Sequence, residues 1–95
     1  MYAVLFDLDT NCLTENCDGT TYHNAYKLIK DYMIENGFIW KQGSVYFGDE
    51  SVTAVSCVII IQKLALKYPW FSTCVKDVRM LRIEENNDLL PAIQL

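Results

Sequence analysis

The residues best suited to chemistry are two acids in an apolar run that begins the chain. The run reads MYAVLFDLD, so Asp7 lies inside it and Asp9 lies at its end. A carboxylate delivered to the end of a buried strand can hold a divalent ion or transfer a proton at a phosphate. An aspartate in a turn more often hydrogen-bonds its own backbone. We therefore assign Asp9 to a turn and Asp7 to function.

A central β-strand is the element that would position Asp7. Side chains alternate across a strand, which places Asp7 on one face with Ala3 and Leu5. The other face carries bulkier side chains, namely Tyr2, Val4, Phe6 and Leu8. We expect helices to cover the bulky face, and we expect a second sheet, a partner subunit or a ligand to meet the Asp7 face.

Periodicity and turn residues predict the remaining elements. The predicted order is a loop over 10–20, a helix from 21 to 36, hairpin strands over 38–41 and 44–47, a helix over 52–68, and a strand over 75–83. Pro69 ends the second helix, and Trp70 and Phe71 are expected to fill one edge of the core. The segment 84–95 is polar and then apolar, which is typical of a tail that docks on its own or on a second subunit.

This order predicts an α+β fold of the ferredoxin-like βαββαβ type, with an antiparallel four-stranded sheet and two helices on one face. We expect the first and third strands to lie side by side and parallel in the sheet centre. Asp7 and Ser44 would then be near neighbours on the open face, which is the face that no helix covers. Together with Ala3, Leu5 and Tyr46, that face would be apolar enough to need a partner. We therefore predict a two-fold symmetric homodimer.

Composition predicts a single cytoplasmic domain over 1–95. A chain of 95 residues with 52% hydrophobic residues is long enough for one core and too apolar for disorder. Its apolar runs, 58–61 among them, are all far shorter than the roughly 20 residues that span a bilayer. The N-terminal residues lack the basic segment and the small-residue cleavage site of an export signal. We therefore expect the cytoplasm and no membrane partner.

The cysteines are expected to be free thiols. Cys12 and Cys17 are close in sequence, but their spacing matches neither a zinc-binding pair nor a redox motif. Cys57 and Cys74 are predicted to be buried as small hydrophobes. A cytoplasmic chain rarely keeps a structural disulfide, which favours the same interpretation.

The chain is acidic overall but contains one basic segment. The formal net charge of −4 argues mildly against nucleic acid as a partner, because Lys and Arg carry most phosphate binding. The basic segment runs from 63 to 82 and has Asp77 as its only acid. Its cations are Lys63, Lys67, Lys76, Arg79 and Arg82. Each of them is equally well explained as ordinary solvated surface.

Four stretches of the chain resemble one family. They are MYAVLFDLD, TYHNAYKLI, NGFIWKQGSVYFGD and YPWFSTCVKDVRMLRIEE, which together span almost the whole sequence. They are similar to the virulence-associated protein D (VapD) family of bacterial endoribonucleases, several of which are toxins of toxin–antitoxin pairs. The resemblance implies a ferredoxin-like fold, a dimer and RNA cleavage, with a small antitoxin protein as a further partner.

A more distant resemblance is to the small CRISPR-adaptation nucleases. They share a strand-terminal aspartate like Asp7 and a Gln-x-Ser-Val-aromatic strand like 42–46. Those relatives tend to carry arginines in the first helix, where this chain has Tyr22-His-Asn24. This departure from their pattern removes the basis for inferring an RNA clamp at that helix, and with it a mechanism copied from those relatives.

The first hypothesis from Asp7 and the basic segment is phosphodiester cleavage of RNA. If two Asp7 side chains meet near a two-fold axis, they would either share one divalent ion such as Mg²⁺ or divide the roles of acid and base. Ser44 would donate a hydrogen bond to a phosphate, and Tyr46 would stack on a base. The residues expected to neutralise the RNA backbone are Lys76, Arg79 and Arg82. No organic cofactor is expected.

The residues leave two other functions open. The stretch Phe6-Asp-Leu-Asp-Thr10 resembles the nucleophile motif of haloacid-dehalogenase-type phosphatases, and Gly48-Asp-Glu50 resembles their later metal motif. The glycine after the second acid is missing, and the chain is too short for the doubly wound sheet of those enzymes. The other alternative is a non-catalytic dimeric interaction module, since a fold by itself implies no chemistry.

Overall fold

Four β-strands form the sheet that carries the functional residues. The computed structural model describes residues 1–16 and 22–94, and the strands within these ranges are β1 (Tyr2–Leu8), β2 (Phe38–Gln42), β3 (Val45–Gly48) and β4 (Val75–Arg82). Their order across the sheet is β2-β3-β1-β4, and every neighbouring pair is antiparallel. This is the strand order of the ferredoxin-like arrangement, so the predicted fold class is confirmed.

The helices connect the strands. Those within the described ranges are α1 (Thr10–Asn16), α2 (Tyr22–Glu35), α3 (Ala54–Lys67), α4 (Pro69–Cys74) and α5 (Leu90–Ile93). The helices predicted over 21–36 and 52–68 are confirmed as α2 and α3. Gly37 follows α2 with a φ of 90°, a conformation that glycine adopts without steric strain. Thr53 and Ser56 form a capping box at the start of α3.

The prediction of a loop over 10–20 is wrong for its first part, which is the helix α1. The Asp9 carboxylate accepts a hydrogen bond from the Cys12 amide at 3.1 Å, and the Asp9 carbonyl accepts one from the Leu13 amide at 3.0 Å. The Leu13 side chain is completely buried and packs into the core. A local cap and one buried contact therefore stabilise a helix that composition does not indicate. Residues 17–20 of the expected loop lie outside the described residues.

The prediction that β1 and β3 are parallel is also wrong, although they are neighbours in the sheet centre as expected. β2 follows the helical crossover and runs in the same direction as β1. The hairpin then reverses the chain, so β3 runs antiparallel to β1. This direction fixes which residues of β3 lie beside the end of β1.

The register of the sheet decides which side chains share a face. Leu5 pairs with Val45, and Val4 pairs with Tyr46. Cross-strand partners point to the same side of a sheet, so Tyr46 lies on the helix-covered face with Val4. The prediction that Ser44 and Tyr46 lie on the open face is therefore wrong. The apolar residues of β3 on the open face are Val45 and Phe47.

The core lies between the sheet and the helices α2 and α3. Phe6 stacks on Tyr46 with ring centroids 5.9 Å apart and meets Phe71 edge-on at 5.8 Å. The Tyr32 hydroxyl donates to the Ile60 carbonyl at 2.7 Å and so joins α2 to α3. Phe71 is buried as predicted, whereas Trp70 is only half buried. Both belong to the short helix α4.

A disulfide joins Cys12 of α1 to Cys74 at the end of α4, with the two Cα atoms 5.4 Å apart. The prediction that these two cysteines are free thiols is therefore wrong, because the fold brings together residues that are 62 positions apart in the chain. Cys57 is a buried free thiol as predicted, and burial raises its pKa. Cys17 lies outside the described residues.

The C-terminal segment lies beside the open face. The tail residues Leu89, Leu90 and Ile93 line a cleft with Val45 and Phe47, yet each of the three remains more than half exposed. The structure thus places the tail where a partner subunit could cover it. Within residues 1–16 and 22–94, none of the helices combines the length and the apolarity that a membrane crossing requires.

We predict that the disulfide makes a large contribution to stability. It closes a loop of 62 residues, for which the chain-entropy relation gives about 4 kcal/mol. Replacing both partners (Cys12→Ser with Cys74→Ser) should lower the free energy of unfolding by about 2–4 kcal/mol in urea denaturation followed by circular dichroism. A reductant should lower the unfolding midpoint of the parent and leave that of the double variant unchanged. A parent midpoint that does not respond to the reductant would contradict this prediction.

Candidate active site

Asp7 lies on the open face of β1 and is exposed to solvent. Its neighbours Phe6 and Leu8 are buried on the other face, so the strand is anchored on both sides of the acid. A short polar side chain that is exposed on a buried strand contributes nothing to the core. The arrangement is therefore suited to present a carboxylate to a ligand.

A second carboxylate lies directly across from Asp7. Asp77 of β4 is the register partner of Asp7, and a β-bulge follows between Asp7 and Leu8. Partners in an antiparallel pair have Cβ atoms about 4.5–5.5 Å apart and point to the same side. The two acids thus form an acidic pair on the open face, and two like charges at this separation repel each other. We call them the Asp7–Asp77 pair.

Arg79 accompanies the acidic pair. Its Nε donates to both carboxylate oxygens of Asp77, at 3.0 and 3.1 Å. Arg79 pairs with Leu5 in the register, so it lies on the same face as Asp7 and Asp77. Since both members of the ion pair are well exposed, the pair contributes little to stability. Its effect is to place a cation beside two carboxylates.

Asp9 has a structural role, as predicted. Its carboxylate accepts from the Cys12 amide, and its amide donates to the Cys74 carbonyl at 2.9 Å. Asp9 thereby ends β1, begins α1 and ties both to the segment that leads into β4.

Ser44 adjoins the end of β1 but faces away from Asp7. Its carbonyl accepts a hydrogen bond from the Phe6 amide at 3.3 Å, which fixes the hairpin beside β1. Its side chain lies on the helix-covered face, where it lines a cleft with Trp40 and Tyr46. Ser44 is therefore close to the strand that carries Asp7, as predicted. It does not share a face with Asp7, because the antiparallel register puts Val45 on the Asp7 face.

Tyr46 is a core residue. It is only 2% exposed and stacks on Phe6, so its ring cannot stack on an RNA base as proposed from the sequence. Burial raises its pKa to about 12, with a smaller contribution from Asp31. The hydroxyl therefore stays protonated at neutral pH. The aromatic residue that sequence reasoning missed is Trp40, the register partner of Tyr46.

The three predicted cations of β4 have separate positions. Arg79 lies at the acidic pair, and Lys76 is the exposed extra residue of the bulge beside Asp77. Arg82 pairs with Tyr2 at the opposite end of β1, roughly 16 Å along the strand from Asp7. Its Nε lies 3.4 Å from a Glu84 carboxylate oxygen. The structure brings Arg79 to the acidic pair, places Lys76 next to Asp77 in the bulge, and keeps Arg82 away from the pair.

Known proteins resemble this chain over its whole length. Endoribonuclease VapD 2 of Riemerella anatipestifer is 75% identical over 93 residues, which are 98% of this chain and 99% of the relative. A Helicobacter pylori protein named Endoribonuclease VapD homolog is 59% identical over 95 residues, 100% of this chain and 98% of the relative. Endoribonuclease VapD of Dichelobacter nodosus is 30% identical over 96 residues. The chain belongs to the VapD family. No protein-family model matches it.

The residue that sequence reasoning missed in this VapD chain is Asp77. It was seen only as the single acid of the basic segment. The available signal was the alternation of β4, which puts Asp77 and Arg79 on one face. The pairing of β4 with β1 was needed to place that face beside Asp7.

The acidic pair has the ligand chemistry that a divalent ion prefers. Among residues 1–16 and 22–94, no group of three or more His, Cys, Asp or Glu side chains is arranged to hold a metal. Mg²⁺ is commonly bound by one or two carboxylates together with phosphates and water. Asp7 and Asp77 fit that requirement as a pair, with the remaining ligands supplied by substrate and solvent.

We predict a repulsive coupling between Asp7 and Asp77 that a double-mutant cycle will detect. Removing either charge, by Asp7→Asn or Asp77→Asn, should raise the free energy of unfolding by several tenths of a kcal/mol, because like charges directly opposite each other destabilise a strand pair. The double variant should gain less than the sum of the two single gains. Urea denaturation at low ionic strength measures all four proteins. Strictly additive effects would show that the two carboxylates do not interact.

Proposed function

We propose that this VapD-family protein is an endoribonuclease that cleaves RNA phosphodiester bonds at the Asp7–Asp77 pair. The observation that carries the proposal is the register of β1 and β4, which sets two carboxylates opposite each other on an exposed face. The names of its relatives support the reaction class. The haloacid-dehalogenase-type alternative lacks support, because the sheet is antiparallel and not doubly wound.

The chemistry assigned to the pair is proton transfer beside a bound phosphate. Asp7 accepts the proton of the attacking oxygen, which forms the new bond to phosphorus as the bond to the leaving oxygen breaks. The leaving oxygen takes up a proton from solvent. Arg79 and Lys76 donate to the non-bridging oxygens and stabilise the charge that develops on them. Asp77 holds the Arg79 guanidinium in place through its two hydrogen bonds.

A divalent ion fits this scheme. We propose that Asp7 and Asp77 hold Mg²⁺, which would supply positive charge for the phosphate when bound. The proton transfer assigned to Asp7 and the phosphate contacts of Arg79 and Lys76 belong to the chain itself. Ser44 faces the other side of the sheet and has no role at this phosphate, whereas Arg82 would contact the RNA backbone farther along β4.

The protein is proposed to act as a two-fold homodimer that uses the open face as its interface. Ile39 of β2 and Leu81 of β4 lie on that face and are 59% and 46% exposed. Phe47 of β3, the register partner of Ile39, lies on the same face. Large apolar side chains on an uncovered sheet favour a partner. The tail over 84–95 would then dock on the second subunit through Leu89, Leu90 and Ile93.

In the cell we propose a cytoplasmic toxin that a small antitoxin protein neutralises, although the Cys12–Cys74 disulfide is a feature that is rare in that compartment. The support is the family resemblance, since RNA is the substrate named for the relatives by the word endoribonuclease. Growth arrest on expression of the parent, but not of Asp7→Asn, would agree with this role. Normal growth of cells that express the parent, together with demonstrated RNA cleavage by the purified protein, would support the nuclease activity and contradict the toxin role.

We predict that Asp7→Asn lowers the rate of RNA cleavage by about 10²–10⁴-fold, the range expected for loss of an acid–base group. Asp77→Asn should also lower the rate, because it weakens the hydrogen bonds that hold the Arg79 guanidinium in place. The assay uses a mixed-sequence RNA as the substrate, once with Mg²⁺ and once with excess chelator. Comparing the two conditions shows whether cleavage needs a metal. Glu50→Gln is the matched control, since Glu50 is an exposed carboxylate outside the sheet. Cleavage by Asp7→Asn at the parental rate would refute the mechanism. No cleavage by the parent would favour the interaction module.

We predict that a charge introduced on the open face, at Leu81 of the edge strand β4, separates the dimer. Leu81→Asp should convert the dimer into a monomer in sedimentation equilibrium, because an unpaired carboxylate in an apolar interface is strongly unfavourable. Leu66→Asp is the control, because Leu66 lies on α3 and is 80% exposed. A parent that sediments as a monomer, or a Leu81→Asp variant that remains dimeric, would contradict the proposed interface.

A further inference from the structure

A cleft of about 490 Å³ lies between α2 and the β2–β3 hairpin, on the helix-covered side of the sheet. We call it the hairpin cleft. Its lining includes Tyr26, Lys27, Lys30, Trp40, Ser44 and Tyr46. The volume falls within the range of about 300–1,000 Å³ typical of small-molecule sites. None of the roles assigned to the Asp7–Asp77 pair uses this cleft.

The hairpin cleft has a flat aromatic wall that is already fixed in position. The Trp40 indole is 42% exposed, and its Nε1 donates to the Gly43 carbonyl at 2.8 Å. Gly43 makes the hairpin turn with a φ of 48°, which favours glycine. The turn therefore sets the orientation of the indole before any ligand arrives. A pre-oriented ring loses little conformational entropy when it stacks on a ligand.

The cleft also has positive charge beside that wall. The Lys30 Nζ lies 4.1 Å from the centroid of the Trp40 ring, a cation–π distance. Lys27, one helical turn earlier on α2, forms an ion pair with Asp31 at 2.9 Å. Lys30 is thus held against the exposed, uncharged ring of Trp40.

The location of the cleft connects it to the acidic pair. The Ser44 carbonyl accepts from the Phe6 amide, one residue before Asp7. The hairpin turn therefore lies at the end of the sheet where β1 delivers Asp7. The hairpin cleft and the Asp7–Asp77 pair therefore occupy opposite faces of the same sheet end.

We propose that the hairpin cleft binds one nucleotide of the RNA substrate, with its base stacked on Trp40 and its phosphate on Lys30. This inference rests on the proposed endoribonuclease function. The cleft holds the nucleotide next to the scissile bond and so positions the neighbouring phosphate at Asp7. Stacking on an aromatic ring accepts any base, because every base has a π-face, and a lysine beside the ring adds phosphate contact.

Binding is tested directly with Trp40 as the reporter. The variant Asp7→Asn with Trp70→Phe retains Trp40 as its only tryptophan and removes the proposed catalytic carboxylate. A short mixed-sequence single-stranded RNA should quench its fluorescence. Adding Lys30→Ala should weaken that binding about tenfold, whereas Lys30→Arg should restore it. Lys63→Ala on α3, which is not part of the cleft lining, is the charge-matched control and should bind as the unaltered reporter does.

Kinetics test the same inference in the active protein. Trp40→Ala and Lys30→Ala should raise KM for RNA about tenfold and leave kcat within about twofold, the pattern for loss of uniform binding. Lys63→Ala should keep the parental values. Circular dichroism of each variant confirms that the hairpin remains folded, and Trp40→Phe, which retains a ring, should recover most of the KM.

The outcomes separate this inference from the function on which it rests. One outcome is that the parent cleaves RNA, Trp40→Ala and Lys30→Ala have the parental KM, and RNA does not change the Trp40 fluorescence. The cleft is then not a substrate site, and the proposed nuclease function is unaffected. If the parent cleaves no RNA, the proposed function fails. Adenosine and uridine 5′-monophosphates are then added to the reporter. Quenching by them that depends on Lys30 would identify a free-nucleotide site and overturn the RNA assignment.

Discussion

The antiparallel pairing of β1 with β3 on one side and β4 on the other is the constraint on which this structure depends. It places Asp77 opposite Asp7 and puts Tyr46 beside Val4 under the helices. A register shift of one residue in either pair would send every side chain of that strand to the other face. The acidic pair would then separate, and Tyr46 would leave the core. The positions of the functional side chains are therefore consequences of strand pairing more than of local sequence.

The end of the sheet is tied together from several directions. Asp9 bonds to the Cys12 amide and the Cys74 carbonyl, and the disulfide joins the same two segments covalently. One of these segments follows Asp7 and the other precedes Asp77. Two repelling carboxylates are thus held at fixed separation by bonds outside the ladder. This agrees with the general rule that functional sites include locally unfavourable contacts that the surrounding structure supports.

The two faces of this sheet end have different chemistry. The open face carries Asp7, Asp77 and Arg79, which cleave the phosphodiester bond in the proposed function. The helix-covered face carries the hairpin cleft with Trp40 and Lys30, which bind a nucleotide of the RNA in the proposed scheme. The hairpin connects them, because Ser44 contacts β1 through its backbone and lines the cleft with its side chain. In the proposed scheme, this VapD-family chain divides binding and chemistry between opposite sides of one sheet.

The sequence by itself determined the fold class, the strand that carries Asp7, the two long helices and the turn role of Asp9, because each depends on local periodicity, capping or alternation. Family membership was also evident from MYAVLFDLD and three further stretches, and the comparisons confirm it. Only the tertiary structure decided the direction of β3, the burial of Tyr46, the Cys12–Cys74 disulfide and the partnership of Asp7 with Asp77. Each of these joins residues far apart in the chain, and alternation within a strand identifies a face without identifying the strand that will lie beside it.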